Sequence, residues 1–450
     1  MMREPAFSRL ERPAPAALTG RRVLVLGLGD TGLSVARWVE RRGGMPRVAD
    51  TRAAPPRGKD YAGEVHTGAF SLQLLEAVDL VCVSPGLALD EPVLAEALKR
   101  RIPIAGDVEL FAWENSGPVL AITGTNGKST VTALTGHLLR AAGIDCEVAG
   151  NIGPAVLDAA MKRSRAPAAW VLELSSYQLE TTWSLAPRAA AVLNLTDDHL
   201  DRYAGLEQYA AAKARIFQGS GVQVLNRDDP RVAAMALPGR AQVSFGLGPH
   251  AEDWGVREGM LASGKHPLLP ADALPIRGWH NVANALAACA LAITLGVPLG
   301  ALAAGLKSFK GLPHRVQLVA TRRGVEWYDD SKGTNVGATI AALKGLARPA
   351  ILILGGEGKG QDFSPLAPVV RKFARHTLLI GKDAARIEEA LAPFSTERCS
   401  SLDEAVEKAA RYARPGDVVL LSPACASFDM FRDYRHRGEA FAAAVARLLP

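Results

Sequence analysis

A chain of 450 residues is longer than one ordinary hydrophobic core supports, so two or three domains are expected. Apolar residues make up 48% and charged residues 22%, the balance of a soluble globular protein, which argues against disordered, collagenous and membrane-embedded classes. The net charge of +6 is small for this length and spread along the chain, without a basic stripe interleaved with aromatics; nucleic acid is not expected as a partner, and a solvated surface or an anionic substrate remains.

The first residues, Met-Met-Arg-Glu-Pro-Ala-Phe-Ser-Arg-Leu-Glu-Arg-Pro, lack the apolar core of a signal peptide and read as a short disordered lead over residues 1–20. The apolar run 22–26 leads into Gly27-Leu28-Gly29-Asp30-Thr31-Gly32. A helical pattern follows to Arg42 and stops at Gly43-Gly44. Further apolar runs at 47–50 and 79–86 make this an alternating α/β unit, placed at 21–114, with a parallel sheet. The glycine spacing at 27–32, with Asp50 about 20 residues on, fits a dinucleotide fingerprint. Its physical content is a close backbone approach to a pyrophosphate and an acid for a ribose or base edge. A tight structural turn satisfies the same spacing.

Glu114-Asn115-Ser116-Gly117 reads as a linker into a second domain at 118–312. Its apolar opening run, 118–122, enters Thr-Gly-Thr-Asn-Gly-Lys-Ser-Thr at 123–130, and a helical pattern leaves over 131–142. Strand, glycine loop, Lys-Ser and helix form a phosphate cradle: the amides of Gly124, Thr125, Asn126 and Gly127 turn toward phosphate oxygens, and the helix N-terminus adds its positive end. Lys128 reaches the outer phosphates, and Ser129 or Thr130 holds Mg2+. Ile122 occupies the place of the first glycine in the commonest pattern. ATP or GTP is the expected ligand.

Strands are expected at 170–174, 190–195 and 222–226. Glu173, at the end of the first, is either a Mg2+ ligand or water anchor, or an ordinary edge charge. His199, in Asp-Asp-His-Leu-Asp at 197–201, is a second ligand or a surface or capping residue. Lys213 reads from spacing alone as a solvated lysine. Asn281 and Asn284 share a helix face, where paired amides read an adenine edge or cap the helix. The uncharged stretch Ala285 to Leu306 is long enough to span a membrane, but Gly296-Val297-Pro298 breaks it into two shorter helices, as in a soluble domain.

A third α/β unit at 313–450 carries strands at 350–354, 377–380 and 417–421. Arg315 sits at its entrance, where it could meet a phosphate. The loops 329–335, 355–363 and 422–430 are rich in Lys, Ser and Asp; the last two follow strands, at the edge where open α/β sheets bind ligands. Cys425 has no obvious His partner and reads as buried. Five cysteines without a C-x-x-C spacing suit a reducing cytoplasm.

Taken in order, these segments resemble the Mur ligases of bacterial peptidoglycan synthesis, from about Arg22 to the C-terminus. The matching pieces include Gly-Leu-Gly-Asp-Thr-Gly, Asp-Thr-Arg at 50–52, Ser-Pro-Gly at 84–86, Gly-Thr-Asn-Gly-Lys-Ser-Thr and Gly-Asn-Ile-Gly at 150–153. Leu-Glu-Leu-Ser-Ser-Tyr-Gln-Leu-Glu, Asp-His-Leu-Asp-Arg-Tyr, His-Asn-Val-Ala-Asn, Leu-Pro-His-Arg, Asp-Ser-Lys-Gly-Thr-Asn and Ser-Pro-Ala-Cys-Ala-Ser-Phe-Asp complete the series. The resemblance implies an N-terminal Rossmann-like domain for a uridine nucleotide, a central P-loop ATPase, and a C-terminal Rossmann-like domain that closes over an amino acid. No single piece decides the member, but their order together with Asp-Thr-Arg at 50–52 resembles the one that adds D-glutamate to UDP-N-acetylmuramoyl-L-alanine. The Asp-Asn-Pro-Arg motif of the diaminopimelate-adding ligase is missing from the chain.

The resemblance also implies residue roles. Gly29, Asp30, Thr31, Asp50, Thr51, Arg52, Ser84 and Gly86 would contact the uridine substrate, with Asn151 near its muramoyl part. Lys128 and Ser129 would hold ATP phosphate and Mg2+. Glu173 and His199 would be metal ligands, and Lys213 would carry a carbamate supporting a second Mg2+. Asn281, Asn284, Arg315 and Asp330 would hold adenosine and phosphate. Lys332, Thr334, Lys359, Ser427, Phe428 and Tyr434 would surround the incoming glutamate. Two departures stand out: Tyr434 where many members have Phe, and Gly333 where Ala is frequent. A cytoplasmic monomer acting on small molecules, without membrane insertion, is expected. The rivals are a folylpolyglutamate-synthetase-like ligase, which should lack Asp50-Thr51-Arg52, a dinucleotide-dependent dehydrogenase fused to an ATPase, and an ATP-gated binding protein.

Overall fold

Three sheets, each built mainly of parallel strands, account for most of the strand residues in the computed structural model, which describes residues 6–198 and 202–448. Contacts divide the chain into two compact units. The first takes in the chain to Leu195, the stretch to Phe245 and Ala287–Leu302; the second takes in Gly246–Leu286 and the chain from Ala303.

In the first unit, β1 (Arg22–Leu26), β2 (Met45–Asp50), β3 (Val65–Thr67), β4 (Leu80–Val83) and β5 (Ile104–Ala105) form a parallel sheet of order β3-β2-β1-β4-β5. This is the Rossmann-like arrangement, with the turn after β1 at the point where strand order reverses. Helices α1 (Asp30–Arg41), α2 (Pro92–Lys99) and α3 (Asp107–Glu114) complete the domain. β1 and β4 are buried apart from Arg22, which is why they read as continuous apolar runs.

The central domain uses β6 (Val119–Thr123), β7 (Cys146–Gly150), β8 (Ala169–Glu173), β9 (Ala189–Val192), β10 (Val222–Asn226) and β11 (Gln242–Phe245), in parallel order β11-β10-β9-β6-β8-β7. Its helices are α4 (Lys128–Ala141), α5 (Val156–Lys162), α6 (Ser176–Glu180), α7 (Leu206–Ala214) and α8 (Pro230–Ala233). The chain first winds from β6 to one side of the sheet, then returns and builds the other side. The C-terminal end of β6 is therefore the switch point at which such sheets bind ligands.

In the second unit, β12 (Trp254–Arg257), β13 (Met260–Ser263) and β14 (His266–Pro270) form an antiparallel meander. The uncharged stretch, most of which (Ala287–Leu302) belongs to the first unit, is indeed two helices, α9 (Trp279–Ala292) and α10 (Leu299–Ser308), parted at Gly296, whose φ is +79°. No helix among the described residues is long and apolar enough to cross a membrane. The last sheet joins β15 (Gln317–Arg322), β16 (Val325–Asp329), β17 (Ala350–Gly355), β18 (Ala374–Ile380), β19 (Thr396–Arg398) and β20 (Val418–Leu421), in order β15-β16-β20-β17-β18-β19, with only β15 antiparallel to its neighbour. Helices α11 (Val336–Leu346), α12 (Ala367–Phe373), α13 (Ala384–Leu391), α14 (Leu402–Tyr412) and α15 (Tyr434–Arg447) belong to this domain. All five cysteines are free and buried. Burial raises each thiol pKa, that of Cys399 to about 11 and that of Cys425 to about 12.

Inside the first unit, α3 joins the N-terminal domain to the central one. Glu109 is fully buried and accepts hydrogen bonds from the amides of Trp183 (2.6 Å) and Ser184 (2.8 Å), the Ser184 hydroxyl (2.6 Å) and the Trp113 indole (2.9 Å). Four donors and the α3 N-terminus compensate the buried carboxylate. Phe111 packs edge-on to Trp170, with ring centroids 4.9 Å apart. The expectation of a disordered lead is corrected over its described part. Phe7, Leu10 and Leu18 are buried, and the Arg215 guanidinium lies 5.6 Å from the centroid of the Phe7 ring. A run without periodicity gave no sign of this, because its few apolar anchors are used one at a time.

Asp107 lies two residues before Glu109 on α3, with Gln178 of α6 donating to it at 3.3 Å. Burial raises its pKa from 3.8 to about 6. Between those values the folded chain binds the extra proton, so this group's contribution to stability falls as pH rises through 6 and is constant above. Asp107→Asn mimics the protonated acid. It should be more stable than the parent by about 1–3 kcal/mol at pH 8, with the difference vanishing below about pH 4. Parallel unfolding of both proteins from pH 4 to 8 checks this, and a gap independent of pH would contradict it.

Candidate active site

The glycine loop after β6 folds as its sequence demands. Gly127 precedes α4 with φ +83°, a left-handed conformation that glycine adopts without strain. Asn194, just beyond β9, fixes the loop: its carbonyl accepts from the Thr125 amide at 3.0 Å, its side-chain oxygen accepts from the Asn126 amide at 2.8 Å, and its side-chain NH2 donates to the Asn126 carbonyl at 3.0 Å. Asn194 was missed in the sequence, where it looked like the end of a strand. Only the adjacency of β6 and β9 gives it this role.

Two lysines converge on this loop. Lys128 Nζ donates to the carbonyls of Gly124 and Thr125, both at 2.9 Å. Lys213 Nζ donates to the same Gly124 carbonyl at 2.9 Å and lies 3.4 Å from Thr123 Oγ1 and 4.4 Å from the centroid of the Tyr209 ring. Lys213 is 1% exposed, so the reading as a solvated lysine is corrected. α7 turns it inward beneath the phosphate loop, which periodicity over an Ala-rich helix does not reveal. Ser129 and Thr130 begin α4 and are buried.

Glu173 ends β8 directly beside Ile122 of β6, at the same sheet edge. One carboxylate oxygen accepts from the Asn151 side chain at 2.7 Å; the other is buried and has no hydrogen-bond partner among the described residues. An ordinary edge charge would be solvated. A buried carboxylate oxygen left unpaired beside a phosphate loop fits a hard divalent cation. Gly150 brings Asn151 into place: a Cβ there would lie 2.3 Å from the Glu173 carbonyl oxygen, so a larger residue would part β7 from β8. Among the described residues no group of three or more His, Cys, Asp or Glu side chains is placed to hold a metal ion, and His199 lies outside the described residues.

In the N-terminal domain, the turn after β1 is closed by Asp50. Its carboxylate accepts from the Leu28 amide (2.6 Å), the Arg52 amide (2.9 Å) and the Arg52 guanidinium in a two-pronged pair (2.8 and 2.6 Å). Arg52 and these amides lower its pKa to about 2. Asp50 thus faces its own loop, while the Arg52 side chain is half exposed and faces solvent. Ser84 donates to the Gly27 carbonyl at 3.1 Å, which brings the Ser84–Gly86 loop against the glycine turn. Gly29 caps α1, Asp30 and Thr31 form its first turn, and Asp30 pairs with Arg57 at 2.6 Å. Thr51 and Gly86 are exposed.

In the second unit, Asn281 and Asn284 are buried at the start of α9 and are hydrogen-bonded to each other at 3.1 Å. Asp330 accepts from the Ser422 hydroxyl at 2.7 Å and from the Val316 amide at 3.2 Å; burial raises its pKa to about 7, with Arg315 and the Ser422 bond opposing. A Cβ on Gly333 would stand 2.6 Å from Asp330 Oδ2 and 2.8 Å from Ser422 Oγ, which explains glycine at this position. The Lys332 ammonium lies 3.9 Å from the centroid of the Tyr434 ring, and Thr334 follows on the same loop. Lys359 is exposed, with φ +49° and its Nζ 5.7 Å from the ring of Phe428, which is 64% exposed; Ser427 beside it is buried.

Arg437 was not singled out in the sequence. It is 1% exposed and donates to Ser331 Oγ and to the carbonyls of Ser331, Cys425 and Ala426, at 2.8–3.3 Å, tying the Lys332 loop to the Ser427 loop. Burial lowers its pKa to about 10.

Comparison with known proteins accords with this arrangement. Residues 21–106 match the Mur ligase MurD-like N-terminal domain, 122–292 the Mur ligase middle domain, and 314–425 the Mur ligase glutamate ligase domain. The chain is 54% identical over 452 residues to the UDP-N-acetylmuramoylalanine–D-glutamate ligase of Nitrosospira multiformis, covering 95% of this chain and 96% of that one. The protein of the same name from Thiobacillus denitrificans is also 54% identical, over 96% of this chain and 97% of its own. The fold is shared with UDP-N-acetylmuramate-alanine ligase MurC of Thermotoga maritima, at TM-score 0.61 and 19% identity over 94% of this chain and 98% of that one. MurF of Acinetobacter baumannii gives TM-score 0.61 at 18% identity over 98% and 93%. With relatives more than half identical along almost their entire length, this chain belongs to the Mur ligase family.

Proposed function

We infer that this chain is an ATP-dependent ligase that joins D-glutamate to UDP-N-acetylmuramoyl-L-alanine in the synthesis of the peptidoglycan precursor. The observation that carries the reading is the convergence of Lys128 and Lys213 on the Gly124 carbonyl, beside the unpaired oxygen of Glu173, at the switch point of the central sheet. A carboxylate does not acylate an amine unaided, because oxide is a poor leaving group. ATP converts it to an acyl phosphate, and the amine then displaces phosphate.

On this reading the loop amides and Lys128 hold the phosphates, and Lys128 offsets the charge of two anions brought together in line. Mg2+, held by Ser129 and Glu173 with His199 as a further ligand, would supply charge neutralisation at the transferred phosphoryl group. Arg52, Thr51, Thr31, Ser84 and their neighbouring glycines hold the uridine diphosphate, and Asn151 faces the muramoyl part. Asn281, Asn284, Arg315 and Asp330 hold adenosine and phosphate. Lys332, Thr334, Lys359, Ser427, Phe428 and Tyr434 receive glutamate. The enzyme is a cytoplasmic monomer.

Lys213 and Lys128 place two ammonium groups on one carbonyl, an arrangement that like charges disfavour. Addition of the neutral Lys213 amine to CO2, with loss of one proton, replaces one cation by a carbamate anion suited to a second Mg2+. Lys213→Ala should lose most activity while remaining folded, and the parent enzyme should slow when CO2 is rigorously stripped. Full activity of Lys213→Ala would remove this role.

Phosphate should form steadily only when ATP, Mg2+, UDP-N-acetylmuramoyl-L-alanine and D-glutamate are all present. Equal turnover with L-lysine or diaminopimelate would overturn the assignment. Lys359→Ala removes a charge-assisted contact worth about 1.5–3 kcal/mol, so glutamate use should weaken roughly ten- to hundredfold. ATP and uridine-substrate affinities should stay near those of the parent, as separate titrations of each ligand will read. A collapse in uridine-substrate affinity with unaltered use of glutamate would show that Lys359 serves elsewhere.

A further inference from the structure

Arg202 has no part in the chemistry above, yet it is the centre of a buried connection between the two domains of the first unit. Its side chain is 13% exposed. One guanidinium NH2 donates to Glu180 Oε2 at 2.6 Å, at the end of α6, whose partner carboxylate is itself 4% exposed. The other NH2 donates to the carbonyl of Leu87 in the N-terminal domain. Leu87 closes a tight turn by donating its amide to the Ser84 carbonyl at 3.0 Å, and Ser84 in turn bonds Gly27 at 3.1 Å. The turn Ser84–Leu87 therefore has two tethers, one within its own domain and one reaching in from the central domain.

The guanidinium is also braced from below. It lies 4.7 Å from the centroid of the Tyr177 ring; Tyr177 stacks on Tyr203 at 6.0 Å, Tyr203 meets Tyr209 at 5.4 Å, and Tyr209 carries the Lys213 ammonium at 4.4 Å. The row of rings runs from the Leu87 carbonyl to the lysine beneath the phosphate loop. A planar guanidinium suits this place because it reaches two acceptors in fixed directions while stacking on an aromatic face; an ammonium does neither as well.

We propose that Arg202 is a positioning residue that sets the Ser84–Leu87 turn of the N-terminal domain at a fixed place relative to the phosphate loop. The uridine substrate then presents its carboxylate in line with the nucleotide. The proposal rests on the reading of Ser84 and Gly86 as uridine-substrate contacts. It predicts a selective kinetic signature, since ATP and glutamate are held by groups that Arg202 does not touch.

The test is steady-state kinetics of the full chain, varying each substrate in turn, for Arg202→Met, Arg202→Lys and Ser84→Ala. Arg202→Met should raise KM for UDP-N-acetylmuramoyl-L-alanine about tenfold and lower kcat about tenfold, with KM for ATP and glutamate within about twofold of the parent. Arg202→Lys keeps the charge opposite Glu180 and should recover part of both effects. If Arg202→Met does not fold, a selective rise in the uridine-substrate KM of Arg202→Lys decides in favour. Equal changes in all three KM values, or unchanged KM and kcat in both variants, overturn the proposal. An unchanged uridine-substrate KM in Ser84→Ala overturns the substrate-turn reading itself, whatever Arg202 does.

Discussion

The carbonyl of Gly124 is the point on which the central domain depends. A backbone oxygen has two lone pairs, and here two ammonium groups use them. Lys213, 1% exposed, would not be tolerated as an ammonium beside the core without such an acceptor, because an unpaired buried cation is strongly disfavoured. The carbonyl must therefore point toward both, and the loop must keep that direction. Asn194 holds the next two residues from the far side, and β6 lies between β8 and β9, buried at every position. The fully apolar strand and the polar loop are two parts of one requirement: a rigid stem for a turn that gathers charge.

The same logic appears in the second unit with the numbers reversed, one cation for several oxygens in place of two cations on one. There a single buried cation, Arg437, gathers four backbone and hydroxyl oxygens from two loops that sequence places about a hundred residues apart. Lys332 and Lys359 lie on or beside these loops with their ammonium groups against aromatic faces. The interior guanidinium sets loop shape, leaving the outer lysines to meet a ligand.

How legible the fold was in the sequence followed from how local each constraint is. The phosphate loop, the α/β alternation and the break at Gly296 depend on residues within a few positions of one another, and all were readable. The short strands β3, β5 and β19 and the meander β12–β14 went unread, since their pairing rather than their composition makes them strands. Site residues divide in the same way. Lys128 and Ser129 announce themselves through spacing, whereas Lys213 was chemically silent until α7 and β6 were brought together. Asn194, Glu109, Arg202 and Arg437 act on partners 68 or more residues away or across a domain seam, and no window of sequence contains both ends. The resemblance to a family supplied Lys213 because a family records such long-range pairings; it did not supply the docking of the N-terminal lead.

The five buried thiols have a practical consequence. With each sulfur buried and its ionisation pushed above the ordinary range, alkylating reagents near neutral pH find almost no thiolate to attack. The wild-type chain is thus a silent background for site-directed labelling. A single cysteine introduced on an exposed loop of each unit would take a fluorophore cleanly, and the distance between the two units could be followed by energy transfer through the catalytic cycle without first removing any native residue.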